Sequence, residues 1–449
     1  MRRVLMNAAA LAALSFATAG HAETVAITNA HILTAGPAGE IASGTVVIKD
    51  SKIVSVGAAA APAGARIIDG KGGVVAPGFF ATGSVLGLVE VGSLGNDATV
   101  DNPDLGAAFD VQAGLNPESV QLPVARLGGL TSAIVLPQSA FDRGGEDEDE
   151  AEDYTAGPER GGPRSRGLFA GQAAVINLGQ GDGILTKPRV AMVVPFGKAG
   201  AGVAGGARGA EFGAFKAALA DVRDFMKNKA AYDKAGYREL ALSRSDLEAL
   251  IPVIEGRMPI VAKVHRAADI HEVLRLAREE HLKVILQGAE EGWKVAAEIA
   301  KAGVPVILNP LDDRPESYEM LGATMDNAGR LQAAGVTVAL EATGGSSRVR
   351  ETRYGAGNAV SHGMPYAAAL AAVTINPAKM FGVADRTGSL EAGKDADLVL
   401  WTGDPFEPLS QPIAIFIHGA QQPLTSRQTE LRDRYKDLGR ALPPGYSHP

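Results

Sequence analysis

The chain has no cysteine in its 449 residues. That excludes disulfides, thiolate nucleophiles and cysteine-held zinc or iron–sulfur centres. A chain of this length buries enough apolar surface to be stable without such staples. Beyond its first residues it also lacks an apolar run long enough to span a bilayer. It lacks a basic excess: the formal net charge is -8, which argues against nucleic acid or an anionic membrane surface as partner. A G-x-S-x-G elbow, a P-loop and an H-E-x-x-H helix are missing too. There is no internal repeat of solenoid length. What is present is an ordinary globular composition, 46% hydrophobic and 21% charged, in a length that suits one large domain or two.

Residues 1–22 read as an export signal. Arg2 and Arg3 give a positive start, residues 4–18 are mostly apolar and uncharged, and Gly20-His21-Ala22 offers small residues for cleavage. The alternative is a buried N-terminal helix. The expectation is an exported protein, periplasmic or secreted.

Residues 23–76 read as short strands and turns, with roughly alternating polarity in VAITNAHILT and GTVVIKDSKIVSVG. From Val74 the pattern changes. Apolar runs such as LTSAIVLP, PRVAMVVPF, PIVAKVH, KVILQG, VPVILNP and VTVALEA alternate with helical stretches such as DIHEVLRLAREEH. Strand and helix in strict turn imply parallel pairing with right-handed crossovers. About eight such units over roughly 300 residues suit a closed β/α barrel, with an open doubly wound sheet as the alternative. Near Gly388 the helical period stops and strands return. The expected fold is therefore α/β: a (β/α)8 TIM-like barrel over 77–387, with a small β-sandwich built from 23–76 and 388–425. Residues 141–166 form an acidic insert containing EDEDEAED, read as a solvated loop that lacks the spacing of a calcium site. The polar tail 426–449 either docks on the body or supports a homo-oligomer.

Four stretches carry a family resemblance: GGVVAPGFFATGSVLGL, ALAAVTINPAKMFGVADRTGSLEAGKDADLVLWTGDP and, between them, GVPVILNP and GVTVAL. The chain resembles the amidohydrolase superfamily, in particular its imidazolonepropionase-like exported branch. The resemblance implies a metal-dependent barrel that hydrolyses carbon–nitrogen bonds other than peptide bonds. It also implies one or two divalent metals, usually zinc, that activate water at the barrel mouth. Most of the implied ligands are replaced. The strand-one His-x-His falls on Gly83-Ser84-Val85 and the preceding Asp on Ala81. The strand-six His falls on Gln287 and the strand-eight Asp on Thr343. Only His265 matches a ligand position, and one imidazole cannot hold a catalytic zinc. No cofactor is therefore expected with confidence, and the metal ligands are unknown.

Strand parity adds a reading of its own. If His265 and Thr343 face inward, so do Lys263 and Glu341. The candidate catalytic residues are thus His265, Glu341 and Lys263, with a Lys263–Glu341 contact expected inside the barrel. One outcome is structural filler in place of the metal, and the other is a metal-independent acid–base site. The corresponding functions are a hydrolase with an altered site or a catalytically inactive periplasmic protein that binds or scaffolds. Either takes a small-molecule substrate or ligand.

The remaining signals are weaker. Gly200-Ala201-Gly202-Val203-Ala204-Gly205 fits G-x-G-x-x-G but lacks the acidic strand end that should follow, so it reads as a flexible loop. His271, His281, His31, His418 and His362 read as surface or capping residues. Arg348, Arg350 and Arg353 either face an anionic substrate at the mouth or form a solvated stretch.

Overall fold

The computed structural model describes residues 23–90, 97–100, 102, 105–139, 167–312, 314–315, 317–342, 348–437 and 439. The export signal, the acidic insert and Thr343 lie outside the described residues.

Both chain ends build one eight-stranded sheet. Its strands are β1 (Val25–Leu33), β2 (Glu40–Lys49), β3 (Lys52–Gly57), β4 (Arg66–Asp69) and β5 (Val74–Pro77). After the barrel strands β6–β13, it is completed by β14 (Leu398–Trp401), β15 (Pro412–Ile417) and β16 (Ala420–Gln421). The order is β16-β15-β14-β5-β1-β2-β3, with β4 on β1. β14 runs antiparallel to β5, and this pairing joins the two ends. Ile27, Ile32, Val46, Ile48, Leu398 and Phe416 give this sheet a core of its own.

The barrel strands are β6 (Phe79–Ser84), β7 (Leu130–Val135), β8 (Gly171–Asn177), β9 (Leu185–Pro195), β10 (Ile260–Val264), β11 (Val284–Gly288), β12 (Val306–Leu308) and β13 (Val338–Leu340). They pair in chain order, and a Thr82–Glu341 bridge brings the sheet near closure. β7 and β8 are buried throughout, as expected of strands covered on both faces. The long run GGVVAPGFFATGSVLGL divides at Gly78 into β5 of the composite sheet and β6 of the barrel. A Cβ at Gly78 would lie 2.1 Å from the Thr131 side chain, so the crossing needs glycine.

One expectation fails. β8 is antiparallel to both β7 and β9, so strand and helix do not alternate strictly. Only residues 178–184 join β8 to β9, too few for the helical crossover that parallel pairing requires. The sequence GQAAVIN was not recognised as a strand because Gly, Gln and Ala carry little β signal. No helix among the described residues is long and apolar enough to cross a membrane.

The interface between sheet and barrel centres on Trp401. It is fully buried and stacks on Phe79 at 5.8 Å between ring centroids. The Arg353 guanidinium lies 5.2 Å from the Trp401 ring centroid. Arg353 does not face the mouth. It is buried and donates to the carbonyls of Pro405 (2.8 Å), Glu407 (2.8 Å) and Ser410 (3.1 Å). Arg348 and Arg350 are exposed, and Arg350 donates to Gln428 on the C-terminal helix at 3.1 Å. Arg353→Ala is expected to destabilise the fold by about 2–3 kcal/mol, because buried carbonyls lose a charged donor. A urea titration checks this, and a loss below about 1 kcal/mol would mean that water replaces the guanidinium.

Candidate functional site

The C-terminal ends of the parallel barrel strands carry the candidate residues. Lys263 on β10 and Gln287 on β11 are partners in register, so both project to the same side of the sheet. His265 follows β10, and Glu290 follows β11 after a turn through Gly288. That glycine has φ +87°, and a Cβ there would lie 2.9 Å from His265 Nδ1. The turn folds back so that the Ala289 amide donates to Val264 O at 2.7 Å. Glu290 Oε2 then meets His265 Nδ1 at 2.7 Å. Burial lowers the affinity of His265 for its proton, but the Glu290 carboxylate outweighs this and holds the pKa above the usual value.

Glu341 lies directly after β13. Its Oε2 accepts from Gln287 Nε2 at 2.9 Å. Gly83, where the resemblance implies a ligand histidine, has φ +73°, and a Cβ built there would sit 1.9 Å from Glu341 Oε2. The carboxylate of Glu341 thus takes the room that a side chain at 83 would fill. Burial pushes the Glu341 carboxyl from its ordinary 4.5 to about 7. The Gln287 bond and the Lys263 charge pull it down, while Glu290 and Asp312 push it up. Lys263 opposes protonation of His265 as well. His265, Glu290, Lys263, Gln287 and Glu341 therefore share one electrostatic neighbourhood. Glu341 accepts from Gln287, a pairing that strand parity did not reveal, and the Lys263 charge also favours the ionised carboxylate.

These residues do not fit the metal that the resemblance implies. Among the described residues, one group of three His, Asp or Glu side chains has ligand atoms within 4.8 Å of one another: Asp395, Asp397 and His418. It lies at the composite sheet, and its oxygens are already engaged. Asp395 takes Lys52 at 2.5 Å and Arg386 at 2.9 Å. Asp397 accepts from the His418 amide at 2.7 Å and from Thr387 at 2.8 Å. At the mouth, Glu341 is held by a neutral amide and fills the place of a further ligand, while His265 is held by Glu290.

Sequence reasoning missed Glu290 altogether. Its only signal was its place just past the apolar run KVILQG. It also missed a second cluster beside the mouth. Arg208 Nε lies 3.0 Å from Asp269 Oδ2, and its Nη2 bonds Glu319. Arg266 reaches Asp269 at 2.9 Å, and Glu319 accepts from the Lys198 amide at 2.9 Å. Glu211 is buried beside them with no side-chain hydrogen-bond partner among the described residues, and the Gly197 backbone and the Arg208 charge only partly offset its burial. Burial, followed by the Asp269 charge, pushes its carboxyl to about 8. The G-x-G-x-x-G stretch belongs to this cluster. It is a short helix, Lys198–Val203, followed by a turn, not the flexible loop expected. A Cβ at Gly200 would come within 2.2 Å of Glu211 Oε1, so that glycine makes room for a carboxyl group and not for a phosphate.

The other histidines lie away from the mouth. His31 pairs with Glu40 at 2.7 Å and His271 with Glu298 at 2.8 Å. His281 ends its helix in the left-handed conformation, and His362 follows the helix Thr352–Ser361 with Asp326 at 3.4 Å.

A sequence profile of the Amidohydrolase family matches residues 260–425, from β10 to past β16. The solved structure of an amidohydrolase from Thermotoga maritima superposes with a TM-score of 0.76 at 26% identity, covering 90% of this chain and 100% of that one. The chain thus resembles the amidohydrolase superfamily in fold and over residues 260–425. Two curated relatives match over short segments. Amidohydrolase tasK of Hapsidospora irregularis is 44% identical over 61 residues, which is 14% of this chain and 6% of that protein. A 5'-deoxyadenosine deaminase of Methanosarcina mazei is 46% identical over 59 residues, 13% of this chain and 14% of that protein.

Proposed function

We propose that this protein is an exported hydrolase that cleaves carbon–nitrogen bonds other than peptide bonds in a small molecule, with Glu341 and the His265–Glu290 pair at the barrel mouth performing acid–base chemistry in place of a metal. The observation that carries this reading is the 2.7 Å His265–Glu290 pair beside a buried Glu341 that occupies the room of a side chain at 83. Paired titratable groups with displaced proton affinities in a barrel mouth are what acid–base catalysis requires.

In this reading the ionised Glu341 takes a proton from water as the water oxygen attacks the carbon of the scissile bond. Lys263 offsets the negative charge that develops. His265, oriented by Glu290, gives a proton to the departing nitrogen, and the carbon–nitrogen bond breaks. The proton held by Glu341 then restores His265, directly or through solvent. A second reading is a non-catalytic exported binding protein. It draws on the Gln287–Glu341 bond, in which the two groups satisfy each other as filler would.

The test uses purified chain, treated with chelator and desalted, on a panel of cyclic amides, non-peptide amides and amino-heterocycles, with release of ammonia or amine measured. Turnover that survives chelation supports the proposal. Turnover that returns only with added zinc or manganese overturns the metal-free site. No turnover on any compound, with ligand-induced thermal shifts, moves the protein to the binding reading.

A further inference from the structure

The opposite end of the barrel holds a cavity of about 510 Å³, within the range of small-molecule sites. It lies where β9, β10, β11 and β12 begin, since Lys187, Pro259, Lys283 and Pro305 line it at those strand starts. Four cationic residues face it, Lys187, Arg257, Lys283 and Lys379, and no carboxylate lines it among the described residues. This concentration of one sign contrasts with the chain's net charge of -8. A cleft lined by one sign of charge focuses potential and gathers the opposite ion.

The four cations are not equivalent. Lys187 is held in place: its Nζ donates to Gly382 O at 2.9 Å and to Phe381 O at 3.3 Å. An ammonium has three donors, so one remains for a ligand. Arg257 turns toward Glu255, with Nε to Oε2 at 2.8 Å. Lys283 and Lys379 are exposed and make no side-chain ion pair among the described residues, though the Lys379 charge reaches Glu391 and lowers its pKa. Apolar side chains, Met380 and Phe381 among them, form the rest of the wall. Clustered ammonium point charges beside an apolar wall suit an anion of high charge density on an organic body.

We propose that this cavity binds a phosphate-bearing organic ligand at the N-terminal end of the barrel, remote from the catalytic mouth. The shared chemistry is the phosphate group, free on a small molecule or carried by a lipid headgroup.

The experiment measures binding of inorganic pyrophosphate to the full chain by calorimetry, and binding to phosphatidylglycerol vesicles by co-sedimentation. Both are repeated with Lys283→Glu/Lys379→Glu. Lys49→Glu/Lys234→Glu, on exposed lysines elsewhere, carries the same change of net charge. The expected result is pyrophosphate binding that weakens at least about tenfold in the cavity variant and is little changed in the control, since reversing two facing charges acts most at short range. Vesicle binding lost in the cavity variant alone, without pyrophosphate binding, supports the site and assigns the phosphate to a lipid. No binding in either arm, or equal loss in both double variants, overturns the proposal.

Discussion

Glu341→Gln is expected to lower kcat by about 10²–10⁴-fold, the usual contribution of a positioned general base, and to make the protein more stable in alkali. The two effects have one cause. Folding buries the Glu341 carboxyl and raises its pKa from 4.5 to about 7. Because the folded pKa lies above the unfolded one, the cost of burying the charge is absent below pH 4.5. It grows as pH rises toward 7 and stays constant above that. At pH 9 it amounts to roughly 3 kcal/mol. The amide carries no charge and still offers an oxygen to Gln287, so the cost disappears. Denaturant titrations at pH 4 and pH 9 should show little difference between variant and wild type at the lower pH and a gain at the higher. In the wild type, activity should rise with pH through about 7 as Glu341 ionises, and that limb should vanish in the variant. A variant that gains stability at pH 9 yet keeps full activity would make Glu341 filler. No gain at pH 9 would mean that the carboxylate is compensated by groups that offset its burial.

Arg208→Ala is expected to destabilise the fold by about 2–4 kcal/mol, because buried Glu319 loses its ion-pair partner and Asp269 keeps only Arg266. Asp269 and Glu319 both lose their bond to Arg208, and Glu211 loses a charge that lowers its pKa. A third of the Arg208 side chain is exposed, so water moderates the loss. The damage should depend on pH. Glu211 titrates at about 8 in the folded chain against 4.5 otherwise, so its burial costs nothing below pH 4.5 and most above 8. Glu211→Gln alone should therefore stabilise at pH 9 and not at pH 4, and should partly rescue Arg208→Ala at pH 9. A double-mutant cycle measured at both pH values checks this coupling. Simple additivity at pH 9 would show that the two side chains do not interact.

Much of the barrel was legible in the chain because a parallel strand covered on both faces must be a continuous apolar run, and PRVAMVVPF, PIVAKVH and KVILQG are such runs. The composite sheet was legible from alternating polarity in β1 and β2 and from the return of strands after Gly388. The antiparallel β8 was not. Its residues are small and carry little β preference, and what forces its direction is the short link to β9.

The resemblance points to Gly83, Val85, Gln287 and His265 as the positions where family ligands are expected, because family motifs keep a fixed spacing. The partners of those residues could not. Glu290 reaches His265 only because a left-handed glycine at 288 turns the chain back on β10. Glu341 meets Gln287 only because the sheet curls until its first and last strands nearly close, which brings position 341 to position 83. Arg208, Glu211, Asp269 and Glu319 come from three separate stretches of chain. Sequence spacing fixes which face of its own element a side chain occupies. Distances between elements depend on how the barrel closes, and burial then sets whether a carboxyl group stays charged. The identity of the residues at the mouth was thus determined by the sequence, and their pairing and proton affinity were decided by the tertiary structure.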